Sequence, residues 1–190
     1  MNSYRTPKGS KTIVLDRDGV INQDSSTYIK SAEEWIPISG SIDAIARLHQ
    51  ANFRVIIASN QSGIARGYFD EAALTRMHDK MNSLVEDSGG VISAIFYCPH
   101  SPDEGCSCRK PKTGLLERAE VEFGISLSGD YFVGDSQKDL QAATSFNMKP
   151  ILVRTGNGRQ TEVALSKEIR DQTRIFKDLK SAVNWILKKQ

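Results

Sequence analysis

The chain has 190 residues, enough for one domain with a sizeable core, and its 25 Lys and Arg against 23 Asp and Glu leave a formal net charge of +2. So weak a field, without a basic stripe interleaved with aromatics, argues against nucleic acid as a partner. No apolar run approaches the roughly 20 residues needed to span a bilayer, and the polar start MNSYRTPKGSK lacks the apolar segment of a secretory signal, so no membrane partner and a cytoplasmic location are expected.

The first predicted element is a strand over 12–16. Ile13, Val14 and Leu15 form a short apolar run that stops abruptly at Asp16, Arg17, Asp18 and Gly19. The carboxyl end of such a strand is where α/β sheets place their ligands. Two carboxylates two residues apart there can face one small site, where they repel and resist ionisation unless a divalent cation resolves the conflict. The same residues also suit a turn in which both carboxylates bond nearby amides. Alone, D-x-D-G fits either reading.

Residues 20–39 form a long connection, and long ordered loops in compact domains are usually functional. Ile42, Ile45, Ala46 and His49 then recur at helical spacing. A strand over 54–59 ends in Ser59 and Asn60, whose hydroxyl and backbone amides can hold phosphate oxygens. Leu74, Met77, Met81 and Leu84 mark a second helix with a stop at Gly89, followed by a strand over 92–97. Leu115, Leu116, Ala119 and Phe123 mark a third, stopping at Gly124. A strand over 131–134 ends in Gly134 and Asp135, and Leu140, Ala143 and Phe146 mark a fourth helix before a strand over 150–154. The tail from about 159 is polar, then closes with an amphipathic helix of Leu179, Ala182, Val183, Ile186 and Leu187, with Trp185 beside its apolar face. That helix reads as a packing element. The alternation predicts an α/β fold, a doubly wound and mostly parallel sheet in a single domain over 1–190.

Asp135 adds a third carboxylate to the rim that bears Asp16 and Asp18. An oxygen-rich set of this kind suits Mg²⁺. Asp139 falls in the first turn of the following helix, where the helix dipole favours a carboxylate, so a structural role is expected. In Arg109-Lys110-Pro111-Lys112, the first two cations follow a constrained loop and are expected to act on substrate, Lys as a point charge and Arg as a bidentate grip. Lys112 is expected to be solvated.

Cys98, Cys106 and Cys108 lie within eleven residues, together with His100. An odd, clustered set is poor material for disulfides. Three thiolates and one imidazole are the donor set of a closed tetrahedral Zn²⁺ site, which is structural because no coordination position stays open. Cys108 directly precedes Arg109 and Lys110, so the loop over 98–108 would fix the launch point of both cations. His49 and His78 sit in helical patterns and read as packing or surface residues.

Taken together, D-x-D-G at 16–19, Ser59, Lys110 and G-D-x-x-x-D at 134–139 resemble the haloacid-dehalogenase (HAD) superfamily of aspartate-nucleophile phosphohydrolases, over roughly residues 11–155. The resemblance implies a Rossmann-like core without a large cap. It implies Asp16 as nucleophile, Asp18 as general acid and then base, and Mg²⁺ held by Asp16, Asp135 and the main-chain carbonyl of Asp18. Ser59, the amide of Asn60 and Lys110 would stabilise the phosphoryl oxygens. It further implies a small phosphorylated sugar as substrate, contacted by Asp24, Ser25, Ser26, Thr27, Tyr28, Ser59, Asn60, Gln61, Ser62, Arg109, Lys110 and Ser136. Arg109 would reach the distal part, and Arg109 and Arg66 suit a second phosphate, whereas Glu33 and Glu34 would suit a cationic amino alcohol. A non-catalytic phospho-receiver is the rival from another class, although receivers do not carry D-x-D on their first strand. A monomer is expected.

Overall fold

The computed structural model describes residues 11–189; residues 1–10, which hold nearly all of the polar start discussed above, and residue 190 lie outside the described residues. Six strands form one sheet: β1 (Thr12–Leu15), β2 (Arg54–Asn60), β3 (Ala94–Cys98), β4 (Tyr131–Gly134), β5 (Lys149–Val153) and β6 (Arg174–Phe176). Their order is β3-β2-β1-β4-β5-β6, and every neighbouring pair is parallel. The helices are α1 (Ser41–Gln50), α2 (Glu71–Asp87), α3 (Gly114–Phe123), α4 (Gln137–Ser145), α5 (Gly158–Ala164), α6 (Lys167–Gln172) and α7 (Leu179–Leu187).

Strand alternation sorts the core into two layers. Ile13, Leu15, Val55, Ile57, Val133, Ile151 and Val153 face one way and pack with Ile45 and Leu48 of α1, Leu74 and Met77 of α2, and Val183 and Ile186 of α7. Val14, Ile56, Ala58 and Phe132 face the other way, against Leu115, Leu116 and Ala119 of α3 and Ala142 and Ala143 of α4. Because both faces are covered, β1 is buried throughout and Ile13, Val14 and Leu15 follow one another without polar alternation. Each such Ile or Leu contributes about 1.5–3 kcal/mol by leaving water.

The long connection over 20–39 is tied down from within. Ile21 and Trp35 are fully buried, and the Lys80 ammonium donates to the carbonyls of Ala32 and Trp35. Beyond 158 the chain is more ordered than its polar composition suggested, supplying α5, α6 and the edge strand β6. Among the described residues no helix is long and apolar enough to cross a membrane. The winding reverses beside β1, since the chain builds outward to β3 and then returns to lay β4 on the other side of β1. The crevice at that switch point opens above the carboxyl ends of β1 and β4.

Candidate active site

Asp16 follows β1 and Asp135 follows β4, and its backbone N–H ties Asp16 to the Val133 carbonyl of β4 at 2.9 Å. A cavity of about 650 Å³ opens there. Asp16, Asp135 and Asp139 each present an oxygen within 4.8 Å of the others, all three buried. Lys110 threads into this group: its ammonium lies 2.9 Å from Asp16 Oδ1 and 2.5 Å from Asp139 Oδ1, and donates to the Ala58 carbonyl at 2.7 Å. Burial raises the Asp16 carboxyl to about 7, with Lys110 opposing and Asp139 and Asp18 adding to the rise. Burial, then Asp16 and Asp139, raise Asp135 to about 8. Burial disfavours the Lys110 charge, yet Asp139 and Asp16 outweigh it and hold the ammonium firmly protonated. One cation thus faces three crowded carboxyls. Gly19 makes the crowding possible, because at its φ of +78° a Cβ would stand 2.1 Å from Asp135 Oδ2.

Asp18 is held apart from that cluster by a different set of donors. Arg17, fully buried, clamps both Asp18 oxygens with Nη2 at 2.9 Å each, and Nε adds a bond to Oδ1 at 3.1 Å. Asn22 Nδ2 donates to Oδ1 at 2.9 Å and Gln61 Nε2 to Oδ2 at 2.7 Å. Burial would raise the Asp18 carboxyl, but Arg17 and the Asn22, Arg17 and Gln61 hydrogen bonds together hold it below the usual carboxylate range. Behind Arg17, its Nη1 lies 3.4 Å from Nε2 of the buried His78. Burial, then the Arg17 charge, lower His78 to about 4, so the imidazole is neutral and presents Nε2 as an acceptor.

The cysteine loop closes the site from the β2–β3 side. Cys98 Sγ lies 3.5 Å from His100 Nδ1 and 3.6 Å from Cys106 Sγ, while Cys108 Sγ lies 3.3 Å from His100 Nδ1 and 3.6 Å from Cys106 Sγ. Ligands about 2.3 Å from a tetrahedral zinc stand roughly 3.7 Å apart, so these four donors fit a zinc ion in number, type and spacing. Burial and the Cys108 thiol push Cys98 up to about 12, a state that a bound cation would reverse. Arg109 Nη1 donates to the His100 carbonyl, and the Asn60 side chain brackets the Lys110 backbone, accepting from its N–H at 3.0 Å and donating to its carbonyl at 3.1 Å. The loop and the strand end therefore set the Lys110 backbone jointly.

A HAD-hydrolase-like family model matches residues 107–182. The chain is 52% identical over 175 residues to the D-glycero-beta-D-manno-heptose-1,7-bisphosphate 7-phosphatase of Pseudomonas aeruginosa, covering 92% of this chain and 97% of that protein. It is 53% identical over 169 residues to the enzyme of the same name from Pseudomonas putida, covering 89% and 95%. The crystal structure of the B. bronchiseptica D,D-heptose 1.7-bisphosphate phosphatase, complexed with magnesium and phosphate, matches with a TM-score of 0.90 at 48% identity, covering 95% of this chain and 99% of that one. The chain belongs to this family of HAD-like phosphatases. The expected fold, a parallel doubly wound sheet, is that of the family.

Against that family background, the expected substrate contacts divide. Asp24, Ser25, Tyr28, Ser59, Asn60, Gln61, Arg109, Lys110 and Ser136 line the cavity. Ser26, Thr27 and Ser62 do not: Thr27 turns back to Ser25 through hydroxyls 3.1 Å apart, and Ser62 is buried. The Gln61 amide is committed inside the protein, donating to Asp18 and Ser59 and accepting from Arg17. Ser136 donates its hydroxyl to Asp139 in a capping box of α4. Asp139 thus has the structural role expected of it and also an unforeseen one, pairing with Lys110. Lys112 is exposed as expected, yet its ammonium bonds the Gly105 and Cys106 carbonyls and braces the cysteine loop. Arg66, Glu33 and Glu34 are exposed and stand outside the cavity. Sequence reading missed Arg17, Asn22 and His78 as a support for Asp18, and Phe69 and Asn157 as cavity residues. Arg17 was hidden as the variable residue of D-x-D.

Proposed function

We propose that this protein is a Mg²⁺-dependent phosphatase that removes the C7 phosphate of D-glycero-β-D-manno-heptose 1,7-bisphosphate, in the cytoplasm and as a monomer, on the way to nucleotide-activated heptose for the lipopolysaccharide core. The observation that carries the substrate is the near full-length likeness, at about half identity, to enzymes named for that compound. The chemistry is supported by the convergence of Asp16, Asp135 and Lys110.

Asp16 and Asp135, with the carbonyl of Asp18, would hold Mg²⁺; crowded carboxyls with raised proton affinity suit a hard divalent ion. The bound ion would neutralise charge on the transferring phosphoryl group. Asp16 Oδ1 is engaged by Lys110 and by the Arg17 N–H at 2.7 Å, which leaves Oδ2 to attack phosphorus. The bond from phosphorus to the C7 oxygen breaks, Asp18 protonates that oxygen, and an aspartyl-phosphate forms on Asp16. Asp18 then takes a proton from water, whose oxygen displaces Asp16 from phosphorus and releases inorganic phosphate. The Arg17 clamp keeps Asp18 ionised, which suits the second step. The first step needs a protonated Asp18, and the charge of an arriving phosphate favours that form. Ser59 Oγ accepts from Gln61 Nε2 at 2.8 Å, so its own hydroxyl proton is left to donate to a phosphoryl oxygen. Cys98, His100, Cys106 and Cys108 would hold a structural Zn²⁺, orienting Arg109 toward the distal phosphate.

The rival substrate, histidinol phosphate, loses the support of Glu33 and Glu34, which lie outside the cavity. The test compares kcat/KM for the β-heptose bisphosphate and histidinol phosphate with Mg²⁺ present. The expected result is a clear preference for the bisphosphate that Arg109→Ala narrows by one to two orders of magnitude, from about 1.5–3 kcal/mol of lost charged hydrogen bonding. A preference for histidinol phosphate overturns the substrate, and an unchanged ratio in the variant overturns the role of Arg109.

A further inference from the structure

The turn after β5, residues Arg154 to Asn157, belongs to none of the family motifs read from the sequence, yet it reaches into the centre of the site. Its backbone is pressed against the metal side of the cavity. A Cβ on Gly156, whose φ is +55°, would stand 2.2 Å from Asp135 Oδ2 and 2.6 Å from Gly19 Cα. The Thr155 hydroxyl donates to the Gly19 carbonyl at 2.6 Å, and the Thr161 hydroxyl donates to the Asp135 carbonyl at 2.9 Å. Asn157 then makes three bonds that no other residue duplicates. Its backbone N–H donates to Asp135 Oδ2 at 2.7 Å, its Nδ2 donates to the same oxygen at 3.2 Å, and Nδ2 also donates to Asp24 Oδ2 at 2.7 Å.

We propose that Asn157 is a positioning residue that joins the cation side of the site to the substrate side, by holding Asp135 and Asp24 on one amide. This rests on the reading of Asp135 as a cation ligand and Asp24 as a substrate contact. The geometry gives each bond a consequence. Both bonds to Asp135 fall on Oδ2, which fixes the carboxylate plane and leaves Oδ1 for a cation. The third bond ties the 20–39 connection, 133 residues away in the chain, to the same amide. Asp24 is exposed and bonds the Ser25 N–H next to it, so the amide is the tie that anchors its carboxylate across the cavity. Partners of metal-binding carboxylates typically change metal affinity 10–100-fold when removed. A shared partner further requires that the two binding events influence each other equally.

Asn157→Ala tests this cleanly, because it deletes the amide and keeps the backbone N–H bond to Asp135. Mg²⁺ is titrated by calorimetry into zinc-loaded protein without substrate, so the result does not depend on the identity of the sugar. The expected outcome is an Mg²⁺ Kd raised about tenfold or more. At saturating Mg²⁺, kcat then returns to within about twofold of the parent while KM for the heptose bisphosphate stays raised severalfold, because the Asp24 loop remains untied. A purely structural role would lower Tm without that split. Asp24→Ala is the second arm: it should weaken Mg²⁺ binding in the parent and have little further effect in the Asn157→Ala background. An Mg²⁺ Kd within twofold of the parent overturns the cation half, and an unchanged KM or strictly additive effects overturn the bridge. Failure of the substrate reading would instead show in the parent protein, as ordinary Mg²⁺ binding without hydrolysis of the bisphosphate.

Discussion

Replacing Lys110 by Met removes one cation from a group of three buried carboxyls while keeping a chain of similar length. Nothing else in the cluster carries positive charge, since Arg17 is spent on Asp18. Deleting one partner of a buried pair costs about 3–5 kcal/mol, because the other partner stays buried without its counter-charge. Here two carboxylates lose their partner at once, Asp16 at 2.9 Å and Asp139 at 2.5 Å. The upper part of that range is therefore expected in Mg²⁺-free, zinc-loaded protein at about pH 8. The loss should depend on pH in a definite direction. Without Lys110 the Asp16 carboxyl, already raised to about 7 by burial, rises further, so the native state binds a proton that the unfolded state has released. Stability then falls as pH rises, and the deficit shrinks toward about pH 5, where the Asp16 carboxyl of the variant is protonated. Mg²⁺ should restore part of it by supplying the missing charge. In turnover, loss of this charge should cost about 10²–10³ in kcat. Lys110→Arg should not rescue the loss, because a planar fork does not fit a site built for a point charge. Urea unfolding at the two pH values, with and without Mg²⁺, reads all of this. A deficit under about 1 kcal/mol at pH 8, or one that does not vary with pH, would refute the reasoning.

Two further outcomes follow from the supports of the site. His78 is held at about 4 against an ordinary 6.5, so the unfolded chain takes up its proton first as pH falls, and stability is lost from about pH 6.5 down to about 4. The contribution is about 3 kcal/mol; His78→Gln keeps an acceptor for Arg17 and should remove that slope, whereas parallel unfolding curves for the two proteins would count against a neutral imidazole. Cys106→Ser should lower the zinc content and reduce kcat/KM about tenfold or more, by loosening the loop that launches Arg109 and Lys110. Full activity in demonstrably zinc-free protein would break that link.

The parts legible in the sequence were those that local pattern determines. Asp16 and Asp135 could be placed on one rim because each ends an apolar strand, and parallel neighbours present their carboxyl ends together. The cysteine loop was legible because its four donors lie within eleven residues. What escaped notice depends on distance or brevity. The strand β6 has three residues and α6 has six, too few for a period to show, and α6 is polar as well. Arg17 looked like a spacer between two aspartates, although its full burial makes it the counter-charge of one of them. His78 carried a helical spacing that named its face but not the guanidinium that face meets, 61 residues away in the chain. Asp24, Ser25 and Tyr28 line the cavity whereas Ser26 and Thr27 between them do not, a division within five consecutive residues that no side-chain pattern marks.

The central claim is that Asp16 Oδ2 bonds phosphorus while Asp16 and Asp135 share one cation. A crystal structure with Mg²⁺ and beryllofluoride, a mimic of the phosphoryl group, tests it directly. The account predicts beryllium bonded to Asp16, Mg²⁺ against Asp16, Asp135 and the Asp18 carbonyl, and the Lys110 ammonium on a fluoride. Beryllium bonded to another residue, or Mg²⁺ seated away from Asp135, would contradict it.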